Sequence, residues 1–254
     1  MSDKLEISNT FINGSFVEQG DELFQLINPA NESIIGNLKC SSDKQIDEAI
    51  CLTHEAVGCM RSLSRDSRID ILQSIYNQVS EKRDEFGNLI SLEMGAPIEL
   101  AKNAHINMGL DHLTNTINVL KDYKFRVKNE GYDICKISIG SVGLITPWNW
   151  PLNQLFTKVA SAIAAGCSIL VKPSEYSPLS ARLVAEIISK SDLPKGSFNM
   201  INGIGKNMGH LITSDPRLSM ISFTGSTRAG IEIQKSAADT IKKVSLELGG
   251  KSAH

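Results

Sequence analysis

The chain has 254 residues, enough for one large domain or two small ones around a well-buried core. Its net charge of -2 gives no sign of a nucleic-acid-binding surface, and no apolar run approaches the roughly 20 residues that a membrane helix needs. The N-terminus lacks an apolar signal core, and the five cysteines form no CxxC pair. We therefore expect a cytoplasmic protein with no disulfide framework, nucleic-acid partner or membrane span.

Residues 1–121 are predicted to form the N-terminal part of a larger domain. Short β-like runs are separated there by Asn-Gly and Asn-Pro turns, and helical spacing begins after Ser42. Two apolar stripes indicate helices, and they consist of Ile46, Ala49, Ile50 and Val57, and of Ile69, Leu72, Ile75, Tyr76 and Val79. Gly95 and Pro97 precede a further helix that ends near Leu120. His105 and His112 share a face of that helix, but no thiolate or carboxylate set accompanies them, so we predict no metal site.

Residues 122–141 alternate on both sides of Asn129-Glu130-Gly131, which is typical of a β-hairpin with a glycine turn. This hairpin either folds back on its own domain or forms an oligomerisation arm that pairs with another subunit. Its length and polarity favour the arm.

Residues 142–254 alternate between buried-type strands and helices. The strands are predicted at 141–146, 168–172, 198–201, 218–223 and 244–248. The helices are predicted at 152–165, 178–189, 205–213 and 227–238, the second of them with Ser177 as its cap and Pro178 as its first residue. This order predicts an α/β fold in which a Rossmann-like five-stranded parallel sheet carries helices on both faces.

The loops after these strands hold the unusual residues, and ligands bind at the carboxyl ends of parallel strands. Gly225 and Ser226 precede a helix, where backbone amides and a hydroxyl favour a phosphate, although the same pair serves as a plain helix cap. Lys172 and Glu175 offer the donor and the acceptor that a ribose diol needs, or else a surface ion pair.

Five motifs of this region occur together in one order: PWNWPL, AAGCSILVKPSE, GSFNMINGIG, ISFTGSTRAG and SLELGGKSA. In spacing and order the series resembles the aldehyde dehydrogenase superfamily, specifically from about Ser141 to Ala253 and more loosely before that. The resemblance implies NAD(P)-dependent oxidation of an aldehyde to a carboxylic acid. A cysteine thiolate attacks the aldehyde, hydride passes to the nicotinamide, and water hydrolyses the thioester.

The resemblance also implies roles for individual residues. Asn149 would donate its side-chain amide to the developing oxyanion, and Glu247 would be the general base, although a strand carboxylate can also serve in a salt bridge. Lys172 and Glu175 would hold the adenosine ribose, and a carboxylate there favours NAD over NADP. The expected cofactor contacts are Thr146, Pro147, Trp148, Asn149, Lys172, Ser174, Glu175, Gly205, Gly209, Phe223, Thr224, Gly225, Ser226, Leu248 and Gly249.

The family's nucleophilic cysteine follows the LELGGK motif, and no cysteine of this chain stands in that context. Cys167 occupies a helix-to-strand turn where a small buried residue is expected. We therefore expect a fragment that is inactive alone. The alternatives are a non-enzymatic module that binds NAD or docks onto a full-length relative, and a reading frame with no present role. The sequence does not identify the aldehyde substrate. The residues that could contact it are Asn153, Gln154, Phe156 and Thr157.

Overall fold

The computed structural model describes residues 5–8, 10–18, 20 and 22–251. Its first elements are short strands: β1 (Leu5–Ser8), β2 (Phe11–Ile12), β3 (Ser15–Phe16), β4 (Leu23–Ile27) and β5 (Ile34–Lys39). β5 lies between β1, which runs parallel to it, and β4, which runs antiparallel. The Asn-Gly turn predicted in this region joins β2 to β3, with positive φ angles of 52° at Asn13 and 87° at Gly14.

Helices occupy the next part of the chain. They are α1 (Asp43–Glu55), α2 (Val57–Ser62), α3 (Arg65–Glu81), α4 (Arg83–Met94), the single-turn α5 (Ile98–Leu100), a π-helical segment (Ala101–His105) and α6 (Ile106–Asp122). A capping box between Ser42 and Gln45 starts α1 at the predicted position. The predicted stripe of α1 is wrong at Val57, because α1 ends at Glu55 and Val57 begins α2. The helix after Pro97 is likewise interrupted by the π-helical segment.

The predicted hairpin consists of β6 (Arg126–Asn129) and β7 (Tyr132–Cys135), which pair antiparallel around Glu130 and Gly131. Gly131 has a φ of 85°, which the tight turn requires. The two strands form a sheet of their own and are almost entirely exposed. The hairpin is therefore present, and its role as an arm stays a prediction.

The main sheet contains β8 (Ser141–Ile145), β9 (Ser168–Lys172), β10 (Phe198–Met200), β11 (Met220–Gly225) and β12 (Lys243–Leu248). These five strands are parallel in the order β12-β11-β8-β9-β10, which confirms the predicted α/β fold. The sheet is longer than expected, because β2 pairs antiparallel with β10 and β3 follows β2, giving seven strands. Among the described residues, Met200 and Phe11 are the only residue pair that joins β10 to β2. No pattern in the neighbouring sequence predicts this contact.

Helices α7 (Pro151–Ala165), α8 (Pro178–Ile188), α9 (Gly205–Ser214) and α10 (Thr227–Ala237) connect these strands, and a 3-10 turn (Ala238–Thr240) follows α10. β9 shows why both faces of the sheet are covered: Ile169 and Val171 join the apolar cluster with α3, α6, α7 and α8, whereas Leu170 joins the cluster with α1 and α9. No helix in the described part of the chain is both long and apolar enough to cross a membrane.

Ser177 is the N-cap residue of α8, as predicted. Pro178 is the first residue as expected, but the Ser177 side chain makes no capping hydrogen bond. Glu93 of α4 caps the helix instead. Its carboxylate accepts hydrogen bonds from the Leu179 N–H at 2.6 Å, from the Ser180 N–H at 3.1 Å and from the Ser180 hydroxyl. A carboxylate offers acceptors for all three donors, so it satisfies the helix start better than one hydroxyl could.

Candidate functional site

The predicted site residues lie along one edge of the main sheet, because the carboxyl ends of its five parallel strands meet there. The strand register aligns Ile145 with both Lys172 and Phe223, and it aligns Thr224 with Glu247. Residues that are far apart in the sequence are therefore neighbours at this edge.

A cleft of about 1030 Å³ opens at this edge between α9 and α10. Four of the predicted cofactor contacts line it, namely Lys172, Gly205, Gly209 and Phe223. The other predicted contacts lie outside its lining, and they are Thr146, Pro147, Trp148, Asn149, Ser174, Glu175, Thr224, Gly225, Ser226, Leu248 and Gly249. Several polar side chains that the sequence did not single out also line the cleft, namely Lys206, His210, Thr213, Arg228, Glu232 and Ser236.

Lys172 and Glu175 form an ion pair at the end of β9, with 2.6 Å between Nζ and Oε2. The sequence also allowed a surface ion pair, but the Lys172 and Glu175 side chains are only 5% and 15% exposed. Burial acts to raise the pKa of Glu175. The positive charge of Lys172 and the hydrogen bonds to the carboxylate, including one from the Gly205 N–H, outweigh this effect, so the pKa lies below its ordinary value. Glu175 is thus a fixed carboxylate beside the cleft.

The loop from β11 into α10 combines a helix cap with a close packing contact. The Ser226 hydroxyl accepts the Ala229 N–H at 3.3 Å, so it caps α10 as the plainer interpretation of this motif required. A Cβ on Gly225 would lie 2.4 Å from the Phe223 ring, which leaves room only for glycine. The start of α10 faces the cleft, since Arg228 and Ala229 line it.

In the loop after β8, Thr146 is buried, whereas the residues that follow it become exposed. Trp148 is 50% exposed and Asn149 is exposed, whereas Trp150 stacks on His105 with ring centroids 3.9 Å apart. His105 is buried at the end of the π-helical segment, burial lowers its pKa, and its Nδ1 has no partner among the described residues. The sequence placed His105 on a helix face with His112 and gave no signal for this stacking, which fixes the residue next to Asn149.

Glu247 lies on β12, exposed at the same edge. Its charge acts on Lys158, a buried lysine of α7 whose Nζ donates to the Ser222 hydroxyl at 2.8 Å. Burial lowers the pKa of Lys158 to about 8, and the Glu247 carboxylate opposes that shift. Sequence reasoning missed Lys158, and the available signal was a single lysine among the apolar residues of α7.

All five cysteines are free. Cys167 precedes β9 and so lies at the amino edge of the sheet, opposite Asn149, and burial raises its pKa. Burial raises the pKa of Cys40 as well, and a hydrogen bond to Glu55 raises that of Cys51. Cys59 and Cys135 are exposed on α2 and on the hairpin. The described residues also contain no group of three His, Cys, Asp or Glu side chains that could hold a metal ion.

Known proteins with related sequences and structures are aldehyde dehydrogenases. A sequence profile of the aldehyde dehydrogenase family matches residues 16–254. A 3-succinoylsemialdehyde-pyridine dehydrogenase from a Pseudomonas species is 40% identical over 246 residues, which cover 96% of this chain and 52% of that protein. The chain spans about half the length of the curated relatives it matches.

Solved structures give the same result. An aldehyde dehydrogenase from Bartonella henselae is 40% identical, with a TM-score of 0.94 over 98% of this chain and 54% of that one. Aldehyde dehydrogenase C from Pseudomonas syringae, solved with NAD+ and octanal, is 37% identical, with a TM-score of 0.95 over 97% of this chain and 51% of that one. The chain therefore belongs to the aldehyde dehydrogenase family.

Proposed function

We propose that the chain is the cofactor-binding part of an NAD-dependent aldehyde dehydrogenase. The observation that carries the proposal is the buried Lys172–Glu175 pair, which is tied to Gly205 beside a cleft of about 1030 Å³. Pairs of this kind offer a fixed acceptor and donor for a ribose diol. Two similar structures, of aldehyde dehydrogenase C from Pseudomonas syringae and betaine aldehyde dehydrogenase from Staphylococcus aureus, were solved in complex with NAD+.

The residues beside the cleft fit the cofactor. The start of α10 and Arg228 supply amides and a charge for a pyrophosphate, and the space around Gly209 is open for a ligand to approach. Bound NAD would supply a hydride acceptor. Asn149 would donate its amide to the oxyanion that forms on the aldehyde oxygen, and Glu247 would accept a proton, with the Lys158 ammonium close by.

We further infer that the cofactor is NAD and not NADP, because the Glu175 carboxylate would repel a ribose phosphate. Glu175→Gln should raise the affinity for NADP relative to NAD about tenfold, since it removes the repulsion and frees Lys172 to pair with the phosphate. Calorimetric titration of both cofactors tests this. Glu232→Gln, which neutralises another cleft carboxylate, is the control. An unchanged ratio in Glu175→Gln would refute the assignment.

We also infer that the purified chain does not oxidise aldehydes alone. The pKa values of Cys40, Cys51 and Cys167 are raised, and Cys59 and Cys135 lie on α2 and on the hairpin, away from Asn149. The measurement is NADH absorbance with a panel of aliphatic, aromatic and polar aldehydes. We expect NAD binding without NADH formation, and sustained turnover would show that one of these thiols serves as the nucleophile. The free thiols also fit a reducing cytoplasm.

A docking role is the second candidate function, and an apolar hollow at the base of the hairpin favours it. The hollow has a volume of about 400 Å³, and its walls include Tyr123, Phe125, Val119 and Ile137, the last two 65% and 79% exposed. Exposed apolar surface of this kind marks protein contacts. We propose that another subunit of the same family covers it. Light scattering should show an assembly larger than one chain, and a monomer at all concentrations would contradict this role.

A further inference from the structure

The cleft between α9 and α10 combines an apolar floor with a polar rim. Its floor includes Ile212, Phe223 and Ile233, which belong to one buried apolar cluster. Two polar side chains, His210 of α9 and Glu232 of α10, stand at its rim. A flat heteroaromatic ring suits such a cleft, because its faces are apolar and its edge carries hydrogen-bond donors and acceptors.

A contact between the two helices bridges this cleft. Both helices follow parallel strands, so both begin at the carboxyl edge of the sheet and run away from it. Ser236 Oγ of α10 lies 3.0 Å from His210 Nδ1 and 2.9 Å from Thr213 Oγ1 of α9. His210 is five residues after Gly205, whose N–H binds Glu175, so the bridge lies roughly 7.5 Å along α9 from that hydrogen bond. The space between the proposed ribose site and the bridge therefore fits a single base.

Glu232 faces this space from α10. It is four residues before Ser236, and residues four apart on a helix share one face, so Glu232 is directed towards α9 as Ser236 is. At a rise of 1.5 Å per residue, it lies roughly 6 Å nearer to the carboxyl edge than the bridge. Its carboxylate has no hydrogen-bond or ion-pair partner among the residues that the structure describes, and carboxylate oxygens accept hydrogen bonds. The cleft thus offers an unused acceptor to the edge of a bound base.

We propose that Glu232 determines which base the dinucleotide carries, by accepting a hydrogen bond from an amino group at the purine 6-position. The proposal rests on the proposed function, because Lys172 and Glu175 must hold the ribose for its base to enter the space between α9 and α10. A purine with hydrogen in place of this amino group leaves the carboxylate without its donor and loses a charge-assisted hydrogen bond. Glu232 is exposed, so water replaces part of the lost interaction and the selectivity is modest.

The test is a calorimetric titration of the full chain with NAD and with the NAD analogue that has hydrogen in place of the 6-amino group. The two dinucleotides share their ribose, pyrophosphate and nicotinamide groups, so their affinity ratio reports on the base edge alone. We expect NAD to bind about 3- to 10-fold more tightly than the analogue. Equal affinities overturn the base selection and leave the proposed function standing, whereas a chain that binds neither dinucleotide refutes the proposed function itself.

Variants assign the selectivity to Glu232. Glu232→Leu removes the acceptor from an exposed position and should bring the two affinities within about twofold of each other. Glu232→Gln keeps a side-chain oxygen that accepts, so it should retain part of the preference. Asp239→Leu removes another carboxylate of the cleft, beyond the bridge, and is the control that should keep the full preference. A preference for NAD that survives Glu232→Leu, or one that Asp239→Leu abolishes equally, overturns the proposal.

Discussion

Glu93 should make the stability of this protein depend on pH near neutrality. It is only 4% exposed, and burial raises its pKa from 4.5 to about 7 although its hydrogen bonds from Leu179 and Ser180 act to lower it. The pKa of the folded state therefore exceeds that of the unfolded state. Its contribution to the unfolding free energy is full below 4.5 and is lost as the pH rises through about 7. The difference corresponds to about 3 kcal/mol.

Glu93→Gln removes the titrating group, so this part of the pH dependence should disappear. The glutamine amide also faces the Leu179 N–H, which leaves two donors opposed, so at about pH 5 the unfolding free energy should lie about 1–3 kcal/mol below that of the unsubstituted protein. This deficit should shrink as the pH rises through about 7, because only the unsubstituted protein loses stability there. Urea unfolding of both proteins at about pH 5 and about pH 8 measures the two effects. Glu85→Gln changes an exposed carboxyl of the same helix and is the control. The reasoning is refuted if Glu93→Gln keeps the fall in stability seen in the unsubstituted protein.

Two further substitutions test groups near Asn149 and Glu247. His105→Ala should lower the unfolding free energy by about 2–4 kcal/mol and shift Trp150 fluorescence to the red, because it removes the stacked ring. His105→Phe should preserve most of the stability and most of the Trp150 emission wavelength. An equal loss in the two variants would argue against stacking. Lys158→Met should raise the unfolding free energy at neutral pH by about 1–3 kcal/mol, since it removes a buried charged group whose pKa is lowered to about 8. Urea unfolding measures this. A lower unfolding free energy in the variant would show that the hydrogen bond to Ser222 contributes more than the burial of the charge costs.

The parallel strands were predictable because each is a short buried run between helices with the spacing of one apolar face. β9 illustrates this: all five of its residues are buried, as a central parallel strand requires, and its bounds match the predicted ones. The turn at Asn13-Gly14 was equally local. The strand order alone was enough to propose a site at the carboxyl edge of the sheet.

The features that escaped prediction depend on residues distant in the sequence. The capping carboxylate Glu93 is 86 residues from Leu179, so nothing near Ser177 indicated that its hydroxyl would not cap the helix. The buried Lys158 donates its hydrogen bond to Ser222, which lies 64 residues away on β11. Propensity and periodicity describe neighbours along the chain, whereas these contacts are decided by which helix packs on which strand.

The pairing of β2 with β10 also sets an order for folding. Asn13, beside β2, donates its backbone N–H to the side chain of Asn199, 186 residues later, so the far edge of the main sheet is completed only when the chain is present as far as Met200. Contacts of such long range are entropically costly and form slowly. During synthesis Phe11 leaves the ribosome long before Phe198, the ring partner on β10, and until then it lacks the sheet edge that buries it in the folded chain.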